Sequence, residues 1–256
     1  MAITRVSYHI LKQAVALGAI PKGGSILELG EANWYGDFPI EDIEKDVMEM
    51  VPDVNEQTEL LSQLRDTDNP IHAFNVCKVI YRVLFAADRI TAIDLRGTDA
   101  AIKSDLNEPV TTDGPFNITI NNGTAEHVFN IGQVFKTIHE QTALNGVMIH
   151  EAPFTGWYNH GFFNLQPTLY YDIAAANSYN ILGTFCCEHV PPKIIQIDSP
   201  LHLLELVEKK EIPTNSVLFV LMRKTSEEPF KYPMQGYYDD RLDAKQEDAW
   251  KKLRVN

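Results

Sequence analysis

Cysteine is scarce: the 256 residues include only Cys77, Cys186 and Cys187. Their spacing matches no metal motif, and neighbouring cysteines pair only with strain, so reduced thiols are expected. Positive charge is also short. There are 22 Lys and Arg against 35 Asp and Glu, a formal net charge of −13. A general nucleic-acid binder uses Lys and Arg to neutralise phosphates, so DNA or RNA is disfavoured as a bulk partner. No apolar run approaches the ~20 residues of a spanning helix. No long apolar core follows the basic residues near the N-terminus, as it would in a secretory signal. The expectation is a cytoplasmic protein without a membrane partner. Internal repeats, low-complexity tracts, a P-loop, a nucleophile elbow and a cysteine–histidine nucleophile pair are all lacking.

What is present is an ordinary globular composition, 45% apolar, with strand and helix patterns in alternation. The chain turns on Ser25-Ile26-Leu27-Glu28-Leu29-Gly30, an apolar run ending in a glycine and followed by polar residues. The first strand of a doubly wound α/β domain delivers its chain to a ligand-binding turn in this way, and such sheets bind ligands beyond the carboxyl ends of their strands.

A helix is expected over 7–17, broken by Pro21-Lys22-Gly23-Gly24, and strand one over 25–29. Ile43, Val47 and Met50 share one helical face, and Leu60, Leu61 and Leu64 another. Pro70 is well placed to open a third helix, over 71–87, which carries Phe74, Cys77, Ile80, Tyr81 and Leu84 on one face. This third helix reads as the crossover, leaving residues 38–69 as a helical insertion, either a surface elaboration or a lid. Strands two, three and four are expected at 89–94, 101–106 and 116–121. A helix is expected over 126–142, strand five over 147–150, and an aromatic and polar loop over 151–166. A helix over 167–178, strand six over 181–188, a helix over 201–209, strand seven over 216–223 and a last helix over 242–253 complete the reading. No linker divides the chain. The expected fold is one α/β domain over 1–256: a doubly wound, seven-stranded, mostly parallel sheet with a helical insertion after strand one.

The strand ends collect a constellation: Glu28 with Gly30 and Glu31, then Asp94, then Asp105 with Leu106, then Asn121. A carboxylate ending strand two can accept from both hydroxyls of a ribose, and one ending strand three from an adenine amino group.

With these residues the sequence resembles the class I S-adenosylmethionine-dependent methyltransferases of small-molecule type. Their first motif, an acid followed by three glycines at alternate positions, falls on Glu28, Gly30, Ala32 and Trp34, where only the acid and first glycine match. Their second- and third-strand acids fall on Asp94 and Asp105. Asn121-Asn122-Gly123-Thr124-Ala125-Glu126-His127 looks like the motif after strand four, and residues 148–154 and 159–164 also look like this family. The resemblance spans about 25–223 without the insertion. It implies a seven-stranded sheet with an antiparallel last strand. It further implies S-adenosyl-L-methionine held by Glu28, Gly30, Glu31, Asp94, Asp105, Leu106 and Asn121, and a small-molecule substrate. The degraded glycine turn argues more against NAD than against S-adenosylmethionine, which has no pyrophosphate to cradle.

His127, just after the strand-four loop, and His160, in the aromatic loop, are the candidate bases, each with a structural role as the alternative. Trp34, Trp157 and Tyr158 are candidates for a substrate wall. No metal site is assigned, since His150, Glu151 and His160 match no ligand spacing. Methyl transfer to an oxygen or nitrogen is the first functional expectation. A non-catalytic binding or regulatory protein of the same fold, and a nicotinamide-dependent oxidoreductase, are the alternatives.

Overall fold

The computed structural model describes residues 2–238 and Lys245; the helix expected over 242–253 lies outside them, Lys245 apart. Three of the seven described α-helices start at a side-chain cap. Helix α1 (Arg5–Ala16) starts at Thr4, whose side chain accepts from the Ser7 amide. Helices α2 (Ile40–Met50), α3 (Val54–Arg65) and α4 (His72–Phe85) follow. Asp53 caps α3 by accepting from the Glu56 amide at 2.8 Å. Further on lie α5 (Ile131–Gln141), α6 (Pro167–Asn177) and α7 (Pro200–Glu208). Proline opens both α6 and α7, where its missing N–H is not needed.

Two short strands, β1 (Ala2–Ile3) and β3 (Asn33–Trp34), pair with each other in parallel. The main sheet holds β2 (Ser25–Leu29), β4 (Arg89–Ile93), β5 (Phe116–Asn122) and β6 (Thr142–Thr155). It continues with β7 (Tyr179–Glu188), β8 (Lys193–Gln196) and β9 (Ser216–Lys224). Among the described residues these seven strands run in the order β4-β2-β5-β6-β9-β7-β8. Strands β4, β2, β5 and β6 are mutually parallel; β9 is antiparallel to both β6 and β7, and β8 to β7. The doubly wound, mostly parallel α/β expectation therefore holds, as does the antiparallel last strand.

The sheet is buried on both faces, as parallel sheets are. Val217, Phe219 and Leu221 of β9 join one core with α1, α2, α3 and α4, while Leu218, Val220 and Met222 join the other with α5 and α6. This period-2 alternation makes the sheet the middle of three layers.

Three expectations are corrected. Residues 101–106 form no strand; a single bridge, Ile93 to Ile102, remains, because polar and charged residues follow Ile102 and the chain turns away. The seventh strand is instead β8, a short hairpin partner at the opposite edge. The helix expected from residue 126 starts at Ile131, preceded by a 3₁₀ turn over Ala125–His127. Strand β6 runs on to Thr155 because β9 pairs with it through Pro153 and Thr155, so residues 151–155 are not loop. The insertion packs into the core: Ile43, Val47, Leu60 and Leu64 are fully buried beside α1 and α4. Among the described residues no helix is long and apolar enough to cross a membrane.

Candidate functional site

Register brings the site together. Leu29 of β2 lies opposite Ile93 of β4 and Asn121 of β5, so the residues that follow emerge side by side. From β2 the chain connects first to β4 on one side and then to β5 on the other. The gap between β2 and β5 is thus a topological switch point, the place where open α/β sheets bind ligands. A cavity of about 610 Å³ opens there, lined by Gly30, Glu31, Asn33, Phe74, residues 93–97, residues 104–107, Gly123, Thr124, His127 and Val128. That volume is within the ~300–1,000 Å³ of small-ligand sites.

The chain turns sharply at Gly30, whose φ of +82° a side chain would strain. The Gly30 amide donates to the Ile93 carbonyl at 2.7 Å, and the Glu31 amide to Asp94 Oδ2 at 2.9 Å. Asp94 Oδ1 accepts from the Arg96 amide at 2.7 Å. Each Asp94 oxygen thus keeps a lone pair for a ligand hydroxyl. Glu31, buried, accepts from the Thr98 amide at 2.6 Å and the Thr98 hydroxyl at 3.1 Å. A Cβ on Gly97 would come within 2.7 Å of Glu31 Oε2, so only glycine fits this packing without a shift. Asp105 is exposed, its Oδ1 accepting from the Asn107 amide at 2.9 Å and side-chain nitrogen at 2.8 Å; these bonds lower its pKa.

Of the candidate cofactor residues, Gly30, Glu31, Asp94, Asp105 and Leu106 line one cavity. Glu28 and Asn121 do not. Glu28 is fully buried, ion-paired to Lys78, and accepts from the Tyr81 hydroxyl at 2.8 Å and the Ala32 amide at 3.3 Å. Burial raises its pKa against the pull of Lys78. Asn121, also buried, accepts from the Ala125 amide at 3.0 Å and shapes the turn after β5. The two missing motif glycines are explained locally: Ala32 fits in a buried position held to Glu28, and Trp34 turns from the cavity to meet Phe38 edge-on.

The histidines converge. The His127 and His160 rings lie 4.8 Å apart, and the Nε2 atom of each is 3.8 Å from Glu126 Oε1. The Phe162 amide donates to the Glu126 carbonyl at 2.8 Å, tying the loop that carries His160 to residue 126. Glu126 is 1% exposed, and neither carboxylate oxygen has a hydrogen-bond partner on another described residue. Burial pushes its pKa up to about 7, against the downward pull of its own backbone amide. Burial, then the neighbouring His160, lowers that of His127; a helix start contributes nothing, because α5 begins four residues later. His127 also lines a second pocket, about 320 Å³, with Asn159, His160, Gly161 and Phe162. It therefore stands between the larger cavity and this one.

Of the three candidate wall residues, none lines the larger cavity. Trp157, at φ +54°, stacks its ring edge-on to His160 at 4.9 Å and donates from Nε1 to the Ser216 carbonyl at 2.9 Å; it backs the cluster. Tyr158 is 94% exposed and walls nothing. His150 is buried behind the site, its pKa pushed down to about 3. Sequence reasoning missed Glu126 as a functional group, along with Leu95, Arg96, Gly97 and Ser104. The Glu-His pair after strand four and the glycine three positions beyond Asp94 were their available signals.

No protein-family model matches the sequence, and no curated protein matches it. Solved structures of similar shape include the N-methyltransferase NodS from Bradyrhizobium japonicum WM9, at 12% identity over 85% of this chain and 94% of that one, TM-score 0.44. Another is the 1,6-didemethyltoxoflavin-N1-methyltransferase of Burkholderia thailandensis, solved with 1,6-didemethyltoxoflavin and S-adenosylhomocysteine, at 13% identity over 86% and 78%, TM-score 0.36. A third is the [4+2]-cyclase SpnF, at 11% identity over 85% and 80%, TM-score 0.43. At these identities and scores the fold rests on the sheet topology itself.

Proposed function

We propose that the protein transfers a methyl group from S-adenosylmethionine to an oxygen or nitrogen of a small molecule. The observation that carries this reading is the cavity at the β2–β5 switch point, where Asp94 and Glu31 stand level and acidic groups predominate. The lining has three acids, Glu31, Asp94 and Asp105, against Arg96 and the imidazole of His127. That balance suits a cationic ligand with ribose hydroxyls better than a pyrophosphate. After β2 the chain enters no helix until Ile40, so the helix N-terminus that would hold a dinucleotide's phosphates is missing from the turn. This disfavours the nicotinamide-dependent alternative.

On this reading Asp94 holds the ribose, Gly30 and Glu31 form the floor, and Asp105 and Leu106 border the adenine. Glu28 and Asn121 act from behind as positioning residues. Bound S-adenosylmethionine supplies a methyl group on a positively charged sulfur, already electrophilic. The chain must align an acceptor with it and remove the acceptor's proton. His127 Nε2 is the base best placed, with His160 beside it in the adjoining pocket and Glu126 behind both to stabilise the imidazolium. Burial raises the Glu126 carboxyl and lowers the His127 imidazole, the kind of perturbed pair that gathers at proton-handling sites.

The test is incubation with S-adenosylmethionine carrying a labelled methyl group and a pool of small hydroxyl and amine compounds. Labelled product and stoichiometric S-adenosylhomocysteine are expected. His127→Ala should lower turnover by about 10² to 10⁴ with cofactor affinity little changed. Tight binding without product across the pool would favour the non-catalytic alternative.

A further inference from the structure

We propose that Glu126, His127 and His160 bind one divalent transition-metal cation at the mouth of the smaller pocket. Their three ligand atoms all lie within 4.8 Å of one another. Two imidazole nitrogens and one carboxylate oxygen are the donor set that first-row divalent metals favour over Mg²⁺ or Ca²⁺.

The independent sign of a ligand is Glu126. Its side chain is 1% exposed, it points at both Nε2 atoms, and both of its oxygens lack partners on other described residues. A buried carboxylate without hydrogen bonds is rare, because desolvation is then uncompensated. A cation at this position would satisfy it.

The geometry needs little adjustment. Bonds of ~2.0–2.1 Å around a tetrahedral ion set donors about 3.3 Å apart. Glu126 Oε1 is 3.8 Å from each Nε2 and the widest separation is within 4.8 Å, so the two exposed rings would rotate inward to meet the ion. Two contacts hold the loop that carries His160 against residue 126. The backbone of the His160 loop is bonded to the Glu126 carbonyl, and the Trp157 ring packs on His160. Three protein ligands leave coordination positions open toward the pocket, where an acceptor oxygen can enter. A hydroxyl bound there would release its proton to solvent more readily, so with the ion bound His127 Nε2 is a ligand and no longer the base.

The site stands on its own geometry, and its test needs no turnover. Protein stripped with a chelator is titrated calorimetrically with Zn²⁺, and with Co²⁺ followed by visible absorption. One equivalent is expected to bind, with millimolar Mg²⁺ unable to displace it. Glu126→Gln and His160→Ala should each weaken binding at least tenfold, with far-UV circular dichroism unchanged. Glu126→Gln is nearly isosteric and keeps the comparison valid should His160→Ala fail to fold. Absence of stoichiometric Zn²⁺ binding, or binding equally tight in Glu126→Gln, overturns the proposal. S-adenosylhomocysteine is titrated into the same stripped protein. Its binding without Zn²⁺ binding would overturn the metal site and leave the cavity assignment standing, and the converse result would do the reverse.

Discussion

Glu28, Glu31 and Asp94 gather around the ends of β2 and β4, while Glu126 stands after β5, and the two groups are built differently. At the first, each carboxylate is held by its own chain: Glu28 by Lys78, Tyr81 and the Ala32 amide, Glu31 by Thr98, Asp94 by two backbone amides. At the second, a carboxylate as deeply buried has no hydrogen bond to another described residue. The first group builds a turn that stands without a ligand. The second spends stability on a poised group, which is what a reactive or ion-binding site requires.

The largest effect expected from breaking this contrast is at Glu28. Glu28→Ala strands the Tyr81 hydroxyl and leaves Lys78 with only Glu31, 3.7 Å away. Stability to urea should fall by about 3 kcal/mol, the low end for breaking a buried pair because one partner remains. Glu28→Gln, which can keep the bonds to Tyr81 and Ala32, should lose less. A loss under 1 kcal/mol in both would show that the network does not support the turn.

Glu151 of β6 sharpens the contrast, being buried with one good partner, the Ser7 hydroxyl at 2.6 Å. Burial pushes its pKa up to about 7. Between the unfolded value near 4.5 and 7, the folded state holds more protons than the unfolded one, so this group's contribution falls as pH rises. Glu151→Gln removes that dependence. The variant should match the parent near pH 4 and exceed it by about 3 kcal/mol at pH 8, allowing 1.36 kcal/mol per pKa unit. Denaturant melts at the two pH values decide it; an equal difference at both would mean that Glu151 stays charged. His139, pushed down to about 4 by burial, acts in the opposite direction in both proteins and cancels.

The smallest effect concerns the insertion. None of residues 38–69 lines the larger cavity, and four of its apolar side chains are fully buried. Saturating S-adenosylhomocysteine should therefore leave proteolysis within residues 41–68 unchanged. Clear protection there would restore the lid reading.

Much of this was legible from pattern. The apolar runs at 25–29 and 216–223 and the alternating one at 116–121 are strands packed between the helices, and the glycine and acids at the strand ends locate the cavity. Other features depend on partners distant in sequence. Strand β8, with only Ile194 and Ile195 apolar, exists because β7 pairs with it. The polar pair His150-Glu151 hides the continuation of β6, which only β9 explains. The burial of Glu126 comes from a loop more than thirty residues later folding over it, and no local signal marks a glutamate that will lose its water. Trp34 and Tyr158 read as binding aromatics by type, yet their backbones aim them elsewhere.

On the proposed reading the switch-point cavity binds S-adenosylmethionine through Asp94. Calorimetric titration of S-adenosylhomocysteine and of NAD into the parent protein and Asp94→Ala tests it most directly. One site for S-adenosylhomocysteine is expected, with no comparable binding of NAD and a loss of roughly 1.5–3 kcal/mol in the variant, the range for hydrogen bonds to a charged group. No binding of S-adenosylhomocysteine by the parent, or unchanged affinity in a folded Asp94→Ala, would contradict it.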